Sequence, residues 1–117
     1  MSKVYFGFAL ADSMFLDGLI TRRTLAIDEV KAFVESETGV VSCCNPSHGA
    51  TINAMNNRFG LEVAIPATPP RVSLQDGDSV IVMGVRGLPR LTDRHEYTES
   101  EVAGATFVFS LYTFVQA

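Results

Sequence analysis

Apolar positions along the chain recur with two different periods, and the changes between them divide it into elements. Lys3 to Ala9 (KVYFGFA) is crowded with aromatic and β-branched residues and reads as a buried strand. DSMFLDG follows as a loop or short turn. Leu19 to Ala26 (LITRRTLA) alternates loosely and predicts a second strand, in which Arg22 and Arg23 cannot both face a core. From Asp28, a candidate N-cap, the spacing of Val30, Phe33 and Val34 predicts a helix to about Ser36, closed by Gly39. VVSCC is a short extended segment and NPS a turn. Gly49 to Phe59 then predicts a second helix, with Ile52, Met55 and Phe59 on one side and Gly60 just past its end.

The second half of the chain is richer in strand signals. Glu62 to Ile65 suits a short strand, and PATPP after it is an irregular linker because successive prolines break any ladder. Arg71 to Leu74 and Ser79 to Val85 flank QDGD, whose Asp-Gly pair signals a hairpin. Val80 to Val85 (VIVMGV) reads as central and buried. Residues 86 to 97 (RGLPRLTDRHEY) form a long polar loop. Thr98 and Glu101 fit a capping box for one helical turn, and Thr106 to Val115 (TFVFSLYTFV) is a strong last strand. Five or six strands and two main helices in mixed order predict an α+β (or α/β) fold: a mixed sheet of about five strands flanked by helices.

Composition narrows the picture. The 117 residues fit a single domain spanning 1–117, and the hydrophobic share of 47% is enough for one packed core. A chain this short buries a modest fraction of its surface, so self-association is expected. A formal net charge of −4 gives no global field to attract double-stranded nucleic acid, so any anion site must be local. Cys43 and Cys44 are adjacent. Their Cα atoms lie about 3.8 Å apart, too close for a relaxed disulfide, and they read as packing residues of a reduced, cytoplasmic protein. No apolar run approaches the ~20 residues of a membrane helix, and the first residues lack a signal-peptide cleavage pattern.

Two places can carry chemistry. In NPSHGATINAMNNRFG, residues 45 to 60, His48 stands at a helix start, where N–H groups without intrahelical partners and the helix dipole favour an anion. Ser47 and Thr51 add hydroxyls, Gly49 permits close approach, and an imidazole exchanges protons near neutral pH. The plain alternative is a surface histidine beside an ordinary Ser47 cap. The second place is the loop 86–97. Five of the nine basic residues (Arg58, Arg71, Arg86, Arg90 and Arg94) lie between positions 58 and 94, and guanidinium forks match phosphate. A solvated loop of mixed charge is the plain reading there, although its length is unusual for a small domain. No P-loop, CxxC, HExxH or GxSxG motif is present, Asp76-Gly77-Asp78 is too short for a calcium loop, and no ligand spacing suggests a metal or cofactor.

Taken in order, the KVYFGFA start, H-x-x-T at His48 to Thr51, L-x-x-G-D at Leu74 to Asp78 before an apolar strand, Arg90-Leu91 and the aromatic last strand resemble the viral ring nucleases, a type III anti-CRISPR family. The resemblance runs over essentially the whole chain. It implies a homodimer that binds a cyclic oligoadenylate, cyclic tetra-adenylate above all, across its two-fold axis and cleaves it without metal in the host cytoplasm. It also implies catalytic roles for His48 as acid, Arg90, and Asp93, which stands where the family has Glu. Ser47, Gly49, Thr51, Ala11, Ser13 and Arg86 are then the expected ligand-binding positions. Where the family carries an Asn-Ala-Phe-Ser-x-Asn-Met-Leu-like run, this chain reads Phe-Ala-Leu-Ala-Asp-Ser-Met-Phe, so polar pocket groups at Phe8, Ala11 and Ser13 are lost or reduced. That change motivates an alternative, a sponge that sequesters the cyclic nucleotide uncut. A third reading is a protein-binding role for the arginine loop.

Overall fold

The computed structural model describes residues 3–88 and 97–117. Its centre is a five-stranded mixed sheet in the order β2-β5-β4-β1-β3. The strands are β1 (Val4–Gly7), β2 (Gly18–Leu25), β3 (Val41–Ser42), β4 (Ser79–Arg86) and β5 (Thr106–Gln116). β1 runs parallel to both β3 and β4, whereas β5 is antiparallel to both β4 and β2. Three helices accompany the sheet: α1 (Ile27–Glu35), α2 (Gly49–Phe59) and the short α3 (Glu99–Ala103). The expected α+β class is the observed one.

Side chains of directly paired residues share a face, so register sorts the core. Phe6, Ile81, Met83 and Phe109 point to one side, where Val30 of α1 and Ile52 and Met55 of α2 close over them. Phe59 adds its ring edge-on to Phe107 and Phe109, with centroids 5.6 Å and 6.1 Å away. On the other side Tyr5, Val80 and Phe114 pack beneath Val72, Leu74 and Met14. β1, β4 and β5 are therefore apolar on both faces over part of their length, which explains their nearly continuous hydrophobic pattern. Arg22 and Arg23 are both exposed, and they leave β2 in opposite directions. Arg22 donates to Ser110 Oγ (2.8 Å), and Arg23 bonds to Glu29 of α1 (2.6 Å). That ion pair, together with the Ala26 N–H, holds the Glu29 carboxyl below its usual range.

Three local expectations fail for physical reasons. The first helix is not capped by Asp28. It starts two residues earlier, behind Ala26, and the Glu29 carboxylate reaches back to the Ala26 N–H (3.1 Å). Glu62 to Ile65 forms no strand, because the Asn56 carboxamide takes both backbone groups of Val63, donating to its carbonyl (3.0 Å) and accepting from its N–H (3.1 Å). QDGD turns as predicted, with Gly77 at φ 87°, but no hairpin forms across it. Both edges of β4 are already paired, to β1 and β5, so Arg71 to Leu74 has no strand to join and lies irregular with Val72 and Leu74 buried. The second helix, its Gly60 cap at φ 66° and the Thr98–Glu101 capping box stand as the sequence predicts. Cys44 is buried and Cys43 half-buried, both unoxidised, and each thiol approaches the Phe6 carbonyl. Burial pushes both thiols above the ordinary cysteine range, which suits packing and not nucleophilic work.

Asp78 ties the start of β4 to its surroundings. Its carboxylate, only 3% exposed, accepts the N–H groups of Lys3 (2.8 Å) and Gln75 (2.9 Å). Asp78→Ala leaves two donors without their partner, so it should lower stability by about 2 kcal/mol, read as a lower midpoint in urea unfolding. An unchanged midpoint would show that the turn is held by its backbone alone.

Candidate functional site

The segment 45–49 does not enter α2 directly. Pro46–His48 forms a 3₁₀ turn, and His48 is the N-cap of α2. The turn consumes backbone donors that a bare helix start would direct at an anion. The Ser47 N–H goes to Asn45 Oδ1 (2.9 Å), the His48 N–H to the Asn45 carbonyl (2.9 Å), and the Gly49 N–H to the Pro46 carbonyl. Asn45, not Ser47, is thus the capping side chain, and the anion cradle expected across Ser47 to Gly49 loses these three donors. Gly49 has ordinary helical dihedrals, and a Cβ added there would meet only Ile65 Cδ1, at 3.7 Å. The fold itself therefore does not require a glycine. Thr51 is half-buried in the first turn, and Ser47 is exposed.

The imidazole of His48 is exposed and stacks obliquely on Phe8, centroids 4.7 Å apart at 46°. Phe8 follows the last residue of β1, so the ring stands at the carboxyl end of the parallel strands β1 and β4. Ligands in such sheets collect at that end. Arg86, the exposed last residue of β4, shares the end. Arg90 and Asp93 lie outside the described residues, as do Arg94 and His95.

Ala11 and Ser13 are placed elsewhere. Both are exposed and belong to the 3₁₀ turn Asp12–Met14 and its cap. Ser13 borders a cavity of about 80 Å³ with Leu74, Gln75 and Phe114, where β4 begins and β5 finishes. That is the opposite end of the sheet from Phe8. Within one chain the structure does not bring Ser13 to His48.

A larger cavity, about 600 Å³, opens between α2 and α3 beside the helix start. Ala50, Asn53 and Asn57 of α2 face Tyr97 and Val102 across it. Arg58 closes one side. It donates to the carbonyls of Val102 (2.6 Å) and Ala105 (2.7 Å), and its guanidinium rests over the Phe59 and Phe107 rings. The grouping of Arg58 with the phosphate-seeking arginines thus gives way to a structural role, in which it locks α3 onto α2. Neither this groove nor the Phe8 stack was identified from sequence. The only signal for the groove was the placement of Asn53 and Asn57 one turn apart, away from the Ile52–Met55 face.

No group of three or more His, Cys, Asp or Glu among the described residues is placed to hold a metal ion. No helix among them is long and apolar enough to cross a membrane.

No protein-family model matches the chain, and no curated protein sequence does. Among solved structures it is similar to B116 of Sulfolobus turreted icosahedral virus, with a TM-score of 0.69 and 18% identity over 95% of this chain and 98% of that one. The likeness at that identity is one of fold, and it extends over nearly the whole of both chains.

Proposed function

We propose that the protein is a viral, metal-independent ring nuclease that binds and cleaves a cyclic oligoadenylate, cyclic tetra-adenylate in the first instance, and so suppresses type III CRISPR defence. The observation that carries this reading is the position of His48: exposed, braced by Phe8, and set just past the carboxyl end of β1. The fold shared with a viral chain and the ordered motifs of the sequence support it.

The chemistry asks little of the protein. A ribose 2′-OH lies next to its own phosphate, so in-line attack is intramolecular and needs mainly positioning. The 2′-OH releases its proton to solvent and its oxygen forms a new bond to phosphorus as the bond to the 5′-oxygen breaks, leaving a 2′,3′-cyclic phosphate and a 5′-hydroxyl. His48 donates the proton that the departing 5′-oxygen takes up, a contribution of about 10²–10⁴-fold. Arg90 stabilises charge on the phosphoryl oxygens and Asp93 orients a partner. Phe8 fixes the imidazole plane.

A homodimer completes the proposal. The sheet face away from α1 and α2 is covered at one end by Val72 and Leu74, while Val108 on the same face is 50% exposed. A second copy there buries that apolar surface, and two-fold symmetry suits a ring ligand. The alternative, a sponge that binds without cleaving, draws on the three N–H groups spent in the 3₁₀ turn and on the distance of Ser13 from His48.

With cyclic tetra-adenylate in EDTA under single-turnover conditions, chromatography should show linear products for the parent protein and at least a hundredfold slower cleavage for His48→Ala. An uncut ring with the parent protein rejects the nuclease and leaves the sponge. Gly49→Ala should hold or raise the melting temperature, because alanine is the better helix former and its methyl group has room. If ring affinity survives that change, the ligand does not seat against this backbone. Val108→Arg should convert a dimer to a monomer in sedimentation equilibrium, and an unaltered mass places the contact elsewhere.

A further inference from the structure

We propose that the groove between α2 and α3 is a purine-base subsite in which Asn53 and Asn57 read the base edge. This rests on the reading above that the ligand is an adenylate, and it adds a site for the base to one for the phosphate. Three asparagines, Asn53, Asn56 and Asn57, stand within α2, although asparagine is a poor helix former. Asn56 has a structural task, the double bond to Val63. Asn53 and Asn57 are exposed, line the groove and bond to no other side chain among the described residues.

Their arrangement suits one class of ligand. Each carboxamide offers a donor and an acceptor side by side, the pair that matches the N7 and N6 amino group of adenine. Ala50 and Ala54 leave low walls beside the amides, and Tyr97 brings an aromatic ring, a stacking partner for any base. The cavity volume of about 600 Å³ lies in the ordinary range for small-molecule sites. Arg58, whose carbonyl bonds leave its charge in place, gives the described lining its one formal charge, which excludes cations and accepts a nucleotide. Asn53 is four residues from Gly49, about 6 Å along the helix axis. A phosphate held by the exposed His48 side chain would be within a nucleotide's length of the groove.

The test separates this site from the nuclease reading. Nitrogen-15 spectra are recorded with adenosine 5′-monophosphate and, separately, with ribose 5-phosphate, for the parent protein and for the double variant Asn53→Ala, Asn57→Ala. The expected result is that the adenylate, and not the sugar phosphate, shifts the Asn53 and Asn57 side-chain amides. The double variant then binds it on the order of tenfold more weakly, with no loss of melting temperature. Equal shifts with ribose 5-phosphate, no shift at millimolar adenylate, or unchanged affinity in the variant overturns the subsite. Cleavage of cyclic tetra-adenylate is scored independently. A protein that cuts the ring with affinity indifferent to the two asparagines keeps the nuclease and loses the subsite. One that takes the adenylate into the groove and leaves the ring whole keeps the subsite and loses the nuclease.

Discussion

Strand β4 has a hydrogen-bonded neighbour on each edge and apolar side chains on both faces, and most of the architecture follows from satisfying it. Its parallel pairing with β1 cannot be made by a tight turn, so the chain must cross the sheet between them. Within that crossover lie β2, α1, β3, α2 and the buried side chains of Leu61 and Val63. Its antiparallel pairing with β5 over eight residue pairs fixes the other edge and carries β2 with it. Asp78 sets the register at the start, accepting from Lys3 just before β1 and from Gln75 in the preceding turn.

The same crossover decides where the candidate chemistry stands. Parallel strands end on the same side, and the chain returning over them after β3 starts α2 above that side. The histidine at its cap is therefore presented beside the end of β1, with Phe8 beneath it. Local geometry then modifies what the helix start can offer. A 3₁₀ turn anchored by Asn45 satisfies three N–H groups internally, so they are not offered to a ligand.

A shared fold with a viral chain at 18% identity is physically unsurprising. What the sheet requires is apolar runs of the right length, separated by turns that reverse or cross the chain, and many residue choices meet that requirement. Site chemistry is less forgiving, because it depends on particular functional groups at particular positions.

The amino-acid pattern by itself determined the strands β1, β2, β4 and β5, the second helix to its glycine cap, the capping box of α3, the mixed class and the placement of His48 at a helix start. Those features rest on local periodicity, turn chemistry and capping, each contained within a few residues of the chain. Only the tertiary structure decided that β4 lies between β1 and β5, that Arg71 to Leu74 therefore cannot pair across QDGD, and that the Asn56 amide takes up the backbone of Val63. It alone showed that Arg58 is committed to α3, that Ser13 sits at the far end of the sheet, and that Phe8 meets His48 across forty residues of chain. The physical reason is competition. A backbone edge or a charged side chain takes the best partner that packing brings to it, and that partner is remote in sequence.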